Sequence, residues 1–133
     1  MLTKQELWHF RQAGLEIAEM KMQIQELTET MDGLKAQIIT DMPKGGGLPH
    51  SAIEDAVIRL ETLRNVYVLK VAEHYDKQRE IEEAITKLTP IEAAIIRSYY
   101  FRRNTWERVA KELNYDPRSV TRIHGNALIE LQA

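Results

Sequence analysis

An unbroken heptad pattern of apolar residues runs through the first forty residues and constrains the fold more than any other feature. Two series repeat every seven residues and stand three residues apart, with no proline between residues 3 and 40. Thr3 and Glu6 form a capping-box pattern at which a helix can begin. Gly14 and Gly33 weaken this helix by about 1 kcal/mol each relative to alanine. The pattern predicts one long helix whose narrow apolar stripe needs a partner helix. The stripe consists of Phe10, Ala13, Ile17, Met20, Ile24, Leu27, Met31, Leu34 and Ile38.

A second heptad stripe follows a segment that predicts a loop. Residues 41–50 contain two prolines and three glycines, but they lack the spacing of a phosphate-binding loop. A second helix is predicted from about Ser51, where Ser51 and Glu54 form another capping box, to about Leu88. Its stripe is interrupted by Arg64 and Gln78. The stripe consists of Ile53, Val57, Leu60, Tyr67, Val71, His74, Ile81, Ile85 and Leu88.

Two long helices joined by a short loop predict an antiparallel helical hairpin over residues 1–88. Apolar residues that lie off the second stripe are expected to be exposed, which makes self-association plausible. These residues are Leu63, Val66 and Leu69.

The last 45 residues carry the start and stop signals of three shorter helices. Thr89, Pro90 and Glu92 predict a cap, a first-turn proline and a capping box, with a helix that ends near Phe101. A polar turn at residues 102–104 follows.

Thr105 is expected to cap a helix over residues 106–113, and Asn114 suits the left-handed position at its end. Asp116 and Pro117 then start a last helix of about residues 117–131. Its predicted buried face contains Val120, Ile123, Ala127, Leu128 and Leu131. A short helix, a tight turn and a second helix make a helix-turn-helix. The whole chain is therefore predicted to be all-α: the hairpin over 1–88, for oligomerisation, followed by a three-helix helix-turn-helix module over 89–133.

The charge of the chain changes sign between these two parts. Residues 1–88 hold 11 Lys/Arg and 15 Asp/Glu, whereas residues 89–133 hold 7 and 5. A mildly basic C-terminal module suits contact with nucleic acid. In a helix-turn-helix, the N-terminal part of the second helix faces base edges in the major groove, where arginine can bond guanine at two atoms. The candidate DNA contacts are Arg118, Ser119, Thr121 and Arg122 on that helix, Arg102, Arg103 and Arg108 before or within the first helix, and His124.

Other readings of several of these residues stay open. His124 is expected either to touch a phosphate or only to pack against the neighbouring helix. Trp106 is expected in the small core, and so are Tyr99, Tyr100 and Phe101, with Tyr100 the most exposed of the three. Gly125 is expected to mark close approach by another backbone.

The C-terminal module resembles region four of bacterial sigma factors. The resemblance is carried in order and spacing by LTPIEAAIIRSYYF (88–101), TWERVAKELNY (105–115) and VTRIHGNAL (120–128). The ending Arg-Ile-His-Gly-x-Ala-Leu is similar to phage-encoded late-transcription regulators of the ArpU and RinA type, which also carry a helical N-terminal region. Pro117 stands where sigma factors often have a polar contact residue, so no base preference is carried over.

The resemblance implies a sequence-specific, double-stranded DNA-binding transcription regulator of phage or prophage genes, acting in the cytoplasm of a bacterial host. Double-stranded DNA and a second copy of the chain are the expected partners, with a dimer favoured, and RNA polymerase is left open as a further partner. Two alternatives use the same elements. One is a DNA-packaging subunit of the small-terminase type, and the other is a helical protein-interaction module that has no DNA binding.

Composition excludes several other classes of function. The chain has no cysteine, so thiol nucleophiles, disulfide scaffolds and cysteine-based zinc sites are absent. Its apolar runs are too short to predict a membrane span or a signal peptide. Its four histidines lack metal-site spacing, and no nucleophile–base pair or nucleotide-binding motif is present. We therefore expect no enzyme activity, no cofactor, no metal and no membrane partner.

Overall fold

The computed structural model of the chain describes the backbone of residues 1–40 and 50–133 and the side chains of residues 1–37 and 52–133. Within these residues the fold is all-α, as predicted, and the two long helices pack as a hairpin. Apart from His50, the predicted loop lies outside the described residues, as do the side chains of Ile38 and Ser51. The helices are α1 (Lys4–Thr40), α2 (His50–Ile85), α3 (Pro90–Ile96), α4 (Trp106–Leu113) and α5 (Pro117–Gln132), and a π-helical turn at Arg97–Phe101 follows α3.

The first helix begins at the predicted capping box and buries the predicted stripe. The Thr3 amide donates to Glu6 Oε2 at 2.9 Å, and the Glu6 amide donates to Thr3 Oγ1 at 3.1 Å. These bonds lower the pKa of Glu6. Every described residue of the α1 stripe is buried or half-buried, so the stripe is the covered face of the helix.

The second helix departs from the predicted stripe at two places. Leu63 is half-buried although it was expected to be exposed, and the neighbouring Arg64 is exposed. Likewise Ala56 is half-buried and Val57 is exposed. The covered face therefore advances by alternating steps of three and four residues through Ala56, Leu60 and Leu63, and Arg64 does not interrupt it. The expected exposure of Val66 and Leu69 is confirmed at 37% and 66%.

The second helix ends at Ile85, three residues before the predicted end. Thr86 Oγ1 donates to the Glu83 carbonyl at 2.7 Å, and the Leu88 amide donates to the Ile85 carbonyl at 3.1 Å. These bonds close a turn that leads to the cap of α3. Leu88 is nevertheless buried, as its place on the stripe predicts, because the turn folds it into the core.

The described chain divides into two compact units, one formed by residues 1–16 and 72–133 and the other by residues 17–71. The helix-turn-helix residues thus share a unit with the start of α1 and the end of α2, while the division of the chain at residue 88 remains a prediction. None of the described helices has an apolar stretch long enough to cross a bilayer.

The third helix is anchored both at its cap and at its far end. Thr89 and Glu92 form the predicted capping box, with Pro90 in the first turn. At the other end, the Arg97 guanidinium donates to both carboxylate oxygens of Glu82, at 3.0 and 2.8 Å. This two-point bond lowers the pKa of Glu82 and ties the π-helical turn to α2.

The two glycines of α1 stand in different surroundings, which predicts different effects of substitution. An alanine Cβ at Gly33 meets nothing within 4 Å, whereas one at Gly14 lies 2.9 Å from Arg103 Nη1 and 3.3 Å from His74 Nε2. The His74 ring is itself stacked on Phe10, with centroids 4.0 Å apart, so it has little room to move. We expect Gly33→Ala to raise the free energy of unfolding by about 1 kcal/mol and Gly14→Ala to gain less than that or to lose stability. Urea unfolding of both variants measures the difference, and equal gains would contradict the contact at Gly14.

Candidate nucleic-acid interface

Helices α4 and α5 form the predicted pair of helices joined by a tight turn. Thr105 Oγ1 accepts the Arg108 amide at 3.2 Å, as the predicted cap of α4. Asn114 ends that helix with φ 57° and ψ 41°, the predicted left-handed conformation. The next amide, of Tyr115, reaches back to the Ala110 carbonyl at 2.9 Å. This closure satisfies a helix-end carbonyl and turns the chain sharply toward α5.

The last helix starts at Pro117 with Asp116 at its N-cap, as predicted. The Asp116 side chain makes no capping hydrogen bond, however, so its expected capping role is confirmed for the backbone position alone. Pro117 lacks an amide hydrogen and therefore leaves no unsatisfied donor at the first helical position.

The last helix has one buried face and one exposed face. Its buried residues are Val120, His124, Ala127 and Leu131, and Ile123 and Leu128 are half-buried, so the predicted core face is confirmed. Four residues at helical spacing on the opposite side form what we call the contact stripe. The contact stripe consists of Arg118, Thr121, Arg122 and Gly125.

Two arginines of the contact stripe are the exposed cationic residues of α5. Arg118 and Arg122 are exposed, and neither forms an ion pair with any residue whose side chain is described. Thr121 is also exposed, and its hydroxyl donates to the Pro117 carbonyl at 3.1 Å, which leaves the oxygen able to accept. Ser119 is half-buried at the edge of the stripe.

The arginines near the start of α4 divide into three environments. Arg102 is exposed and has no ion pair within the described part of the chain. Arg108 is also exposed, but its Nε donates to Glu112 Oε1 at 3.1 Å, so a neighbouring carboxylate offsets its charge. Arg103 adopts φ 57° and is half-buried, with Nη1 against the Gly14 backbone and beside His74. Since its guanidinium packs onto α1, Arg103 is withdrawn as a candidate DNA contact.

His124 is also withdrawn as a candidate DNA contact, because it belongs to the core. It is 7% exposed, and its Nε2 shares a hydrogen bond of 2.8 Å with the Tyr100 hydroxyl. Burial, together with the charge of Lys4, lowers the pKa of His124 to about 4, so the ring is neutral at pH 7.

Tyr100 is the least exposed of the three consecutive aromatic residues, so the prediction that it is the most exposed was wrong. It is 2% exposed, whereas Tyr99 and Phe101 are half-buried. Tyr100 follows Ile96 by four residues and so continues the buried face of α3 through the π-helical turn. Burial raises the pKa of its hydroxyl far above the ordinary value.

A run of stacked side chains connects α1 to both helices of the pair. The Arg11 guanidinium donates to the Tyr99 carbonyl at 3.0 Å and lies 4.4 Å from the centroid of the Tyr99 ring. The Tyr99 ring is stacked on Trp106 of α4 at 3.7 Å, and Trp106 meets the His124 ring of α5 edge-on at 4.6 Å. Trp106 therefore packs against the core, as predicted. Arg11 was missed by sequence reasoning because its partners lie about ninety residues away along the chain.

The prediction that another backbone segment lies close to Gly125 was wrong. A Cβ built there meets nothing within 4 Å, so no part of the described protein requires a glycine. Gly125 is instead the C-terminal member of the contact stripe, seven residues after Arg118 and therefore on the same side of the helix as that arginine.

Comparison of the chain with protein-family models, with curated proteins and with solved structures found no match. The described residues contain no cluster of three or more potential metal ligands.

The buried His124 predicts a specific dependence of stability on pH. Its folded-state pKa of about 4 lies below the unfolded value of about 6.5, so the unfolded chain takes up a proton first. The stability from the neutral ring is complete above about pH 6.5 and declines as the pH falls toward 4. We expect His124→Gln to remove about 2 kcal/mol of the stability difference between pH 7 and pH 5.

Denaturant unfolding at these two pH values measures that change. Burial and the neighbouring Arg103 also lower the pKa of His74, which adds a loss in the same direction, so the two proteins must be compared rather than the wild type judged alone. Exposed His9→Gln is the control, and identical pH dependence in wild type and His124→Gln would refute the assignment.

Proposed function

We propose that this protein is a sequence-specific, double-stranded DNA-binding transcription regulator of phage or prophage genes. Helix α5 enters the major groove with its contact stripe toward the bases. The observation that carries the proposal is the stripe itself. Two arginines spaced four residues apart lie on the exposed face of the second helix of a helix-turn-helix, and neither forms an ion pair with a described side chain. The regulatory role and the phage setting rest on the sequence resemblance.

The chemistry of the contact stripe suits base recognition rather than general attraction to DNA. A guanidinium can donate two hydrogen bonds to O6 and N7 of guanine, and Thr121 can bond a base or a phosphate. The module as a whole has an excess of only two cationic residues over acidic ones. Because affinity without sequence preference depends on neutralised phosphates, we expect one copy to bind modestly and two linked copies to bind well.

Arg102 is the best candidate for a contact to the DNA backbone. It lies in the turn that leads into α4 and is exposed without an ion pair among the described side chains. Contacts of this kind fix the position of a protein on the duplex and carry no sequence information.

Selection of bound sequences from a randomised duplex pool, at near-physiological salt, tests the proposal. Enrichment of one motif supports it, and a repeated half-site would give the geometry of a dimer. A flat pool with retained binding, together with a ring-sized mass in solution, would instead support a packaging subunit. Absence of binding even at low salt would overturn the DNA-binding proposal and favour the protein-interaction alternative.

Arginine substitutions should separate base contacts from backbone contacts. We expect Arg118→Ala or Arg122→Ala to weaken binding to the selected motif by about 5- to 150-fold, the equivalent of about 1–3 kcal/mol for a guanine contact. Arg102→Ala should weaken all sequences alike and reduce the salt dependence by about one phosphate. Exposed Arg64→Ala on α2 is the matched control. Titrations at several salt concentrations give both quantities, and an unchanged motif preference in both α5 variants would refute the role of the stripe.

Gly125 should limit binding although it does not limit folding. Since nothing in the described structure meets a Cβ there, Gly125→Ala should raise the free energy of unfolding by about 1 kcal/mol. Gly125→Leu should also fold, but its larger side chain should hold α5 away from the groove. We expect this variant to bind the selected motif about tenfold more weakly, which corresponds to about 1.4 kcal/mol. Asn126→Leu, at the exposed neighbouring position, is the control. Equal binding by both leucine variants would show that the stripe does not meet DNA.

A further inference from the structure

The outer side of α1 carries a second set of apolar residues at heptad spacing. Trp8, Leu15 and Met22 are seven residues apart and are 41%, 55% and 55% exposed. Seven residues are about two helical turns, so the three side chains lie in one line, which we call the outer stripe. The line runs opposite the covered stripe that packs against α2. Single exposed apolar residues are ordinary, but three in register along one helix indicate a helix partner.

The charges along the same side of α1 change sign from one end to the other. Lys4 lies N-terminal to the outer stripe, and Glu19 and Glu26 lie beside and beyond its C-terminal half; all three are exposed. Lys4 and Glu26 form no ion pair with any described side chain. A partner helix that complements this surface must therefore be acidic where α1 is basic and basic where α1 is acidic.

A second copy of α1 in antiparallel orientation meets this requirement. With a two-fold axis near Leu15, Leu15 faces its own equivalent and Trp8 faces Met22 of the other copy, a contact that methionine sulfur and an aromatic ring make favourably. The same arrangement brings Lys4 opposite Glu26. A parallel copy would instead bring like charges together at each end.

We propose that the outer stripe of α1 is the dimer interface of this protein, formed with a second copy related by a two-fold axis near Leu15. The surface is self-complementary, as such an axis requires of both partners. Among the large exposed apolar residues described on α2, Val68 and Tyr75 stand seven residues apart, but no third one continues their line, whereas three residues share one line on α1. The interface does not depend on DNA binding. Where both hold, two-fold symmetry predicts a palindromic binding site.

The mass of the protein in solution gives the first test. Sedimentation equilibrium of the full chain should give twice the chain mass of 15.4 kDa. Leu15→Glu should give the single-chain mass at concentrations where the wild type is dimeric, because it places like charges at the axis. Leu69→Glu is the control, because it places the same charge at an exposed leucine of α2 outside the outer stripe, and this variant should stay dimeric. A monomeric wild type, or dissociation by Leu69→Glu rather than Leu15→Glu, would overturn the proposal.

Charge reversal at Lys4 and Glu26 tests whether the two copies of α1 are antiparallel, and the double variant should restore the dimer that each single variant weakens. Lys4→Glu alone and Glu26→Lys alone should each weaken the dimer, because each places like charges opposite one another. The double variant restores opposite charges and should recover the dimer. Both substitutions lie on the exposed helix surface, and circular dichroism of the three variants checks that the helices remain. Failure of the double variant to recover would contradict the antiparallel pairing.

Cross-linking locates the axis, because the native chain has no cysteine to interfere. In the proposed dimer, the two copies of position 15 are adjacent, whereas the two copies of position 22 lie about 21 Å apart along the helices. A short thiol cross-linker should therefore join Leu15→Cys to itself and should not join Met22→Cys to itself. Joining of both variants would indicate a parallel dimer, and joining of neither would place the interface elsewhere; either result overturns the proposal. None of these measurements involves DNA, so their failure is distinct from failure of the proposed function.

Discussion

The ring of Tyr99, held between a guanidinium and an indole, is the contact on which the arrangement of the C-terminal helices depends. Arg11 of α1 lies over one side of the ring and bonds the carbonyl of the same residue, and Trp106 of α4 is stacked on the ring. Trp106 in turn meets His124 of α5. Through these contacts, the first turns of α1 set the positions of both helices of the helix-turn-helix.

Three of the side chains that the sequence offered as DNA contacts are instead engaged by other residues of the fold. His124 satisfies the hydroxyl of buried Tyr100, Arg103 packs on α1, and Arg108 is paired with Glu112. Burial and pairing are favourable for the fold only when these groups have such partners. The contact stripe differs because its two arginines form no ion pair within the described part of the chain, and that difference is the physical basis for proposing it as the nucleic-acid surface.

The local parts of this architecture could be read from the sequence, because their causes lie within a few residues. The Thr3–Glu6 and Thr89–Glu92 caps and the left-handed Asn114 depend on short-range hydrogen bonds and backbone preference. The heptad stripe of α1 was equally readable, since helical periodicity decides which side is covered. On α2 the same rule placed Arg64 in the stripe instead of Leu63, because steps of three and four residues both satisfy the pattern until a partner helix selects one.

By itself, the sequence determined an all-α chain, the ends of most of its helices and the side of α5 on which arginines accumulate. Only the tertiary structure decided which polar residues stay accessible, because their accessibility depends on residues that are distant along the chain. The Arg11 contact spans 88 positions, and the Tyr100–His124 bond spans 24. Periodicity has no information about such pairs. For that reason the sequence left His124 open between a phosphate contact and packing, and offered Arg103 as a DNA contact. His124 proved to be buried and Arg103 half-buried against α1, whereas Arg118 and Arg122 remained exposed.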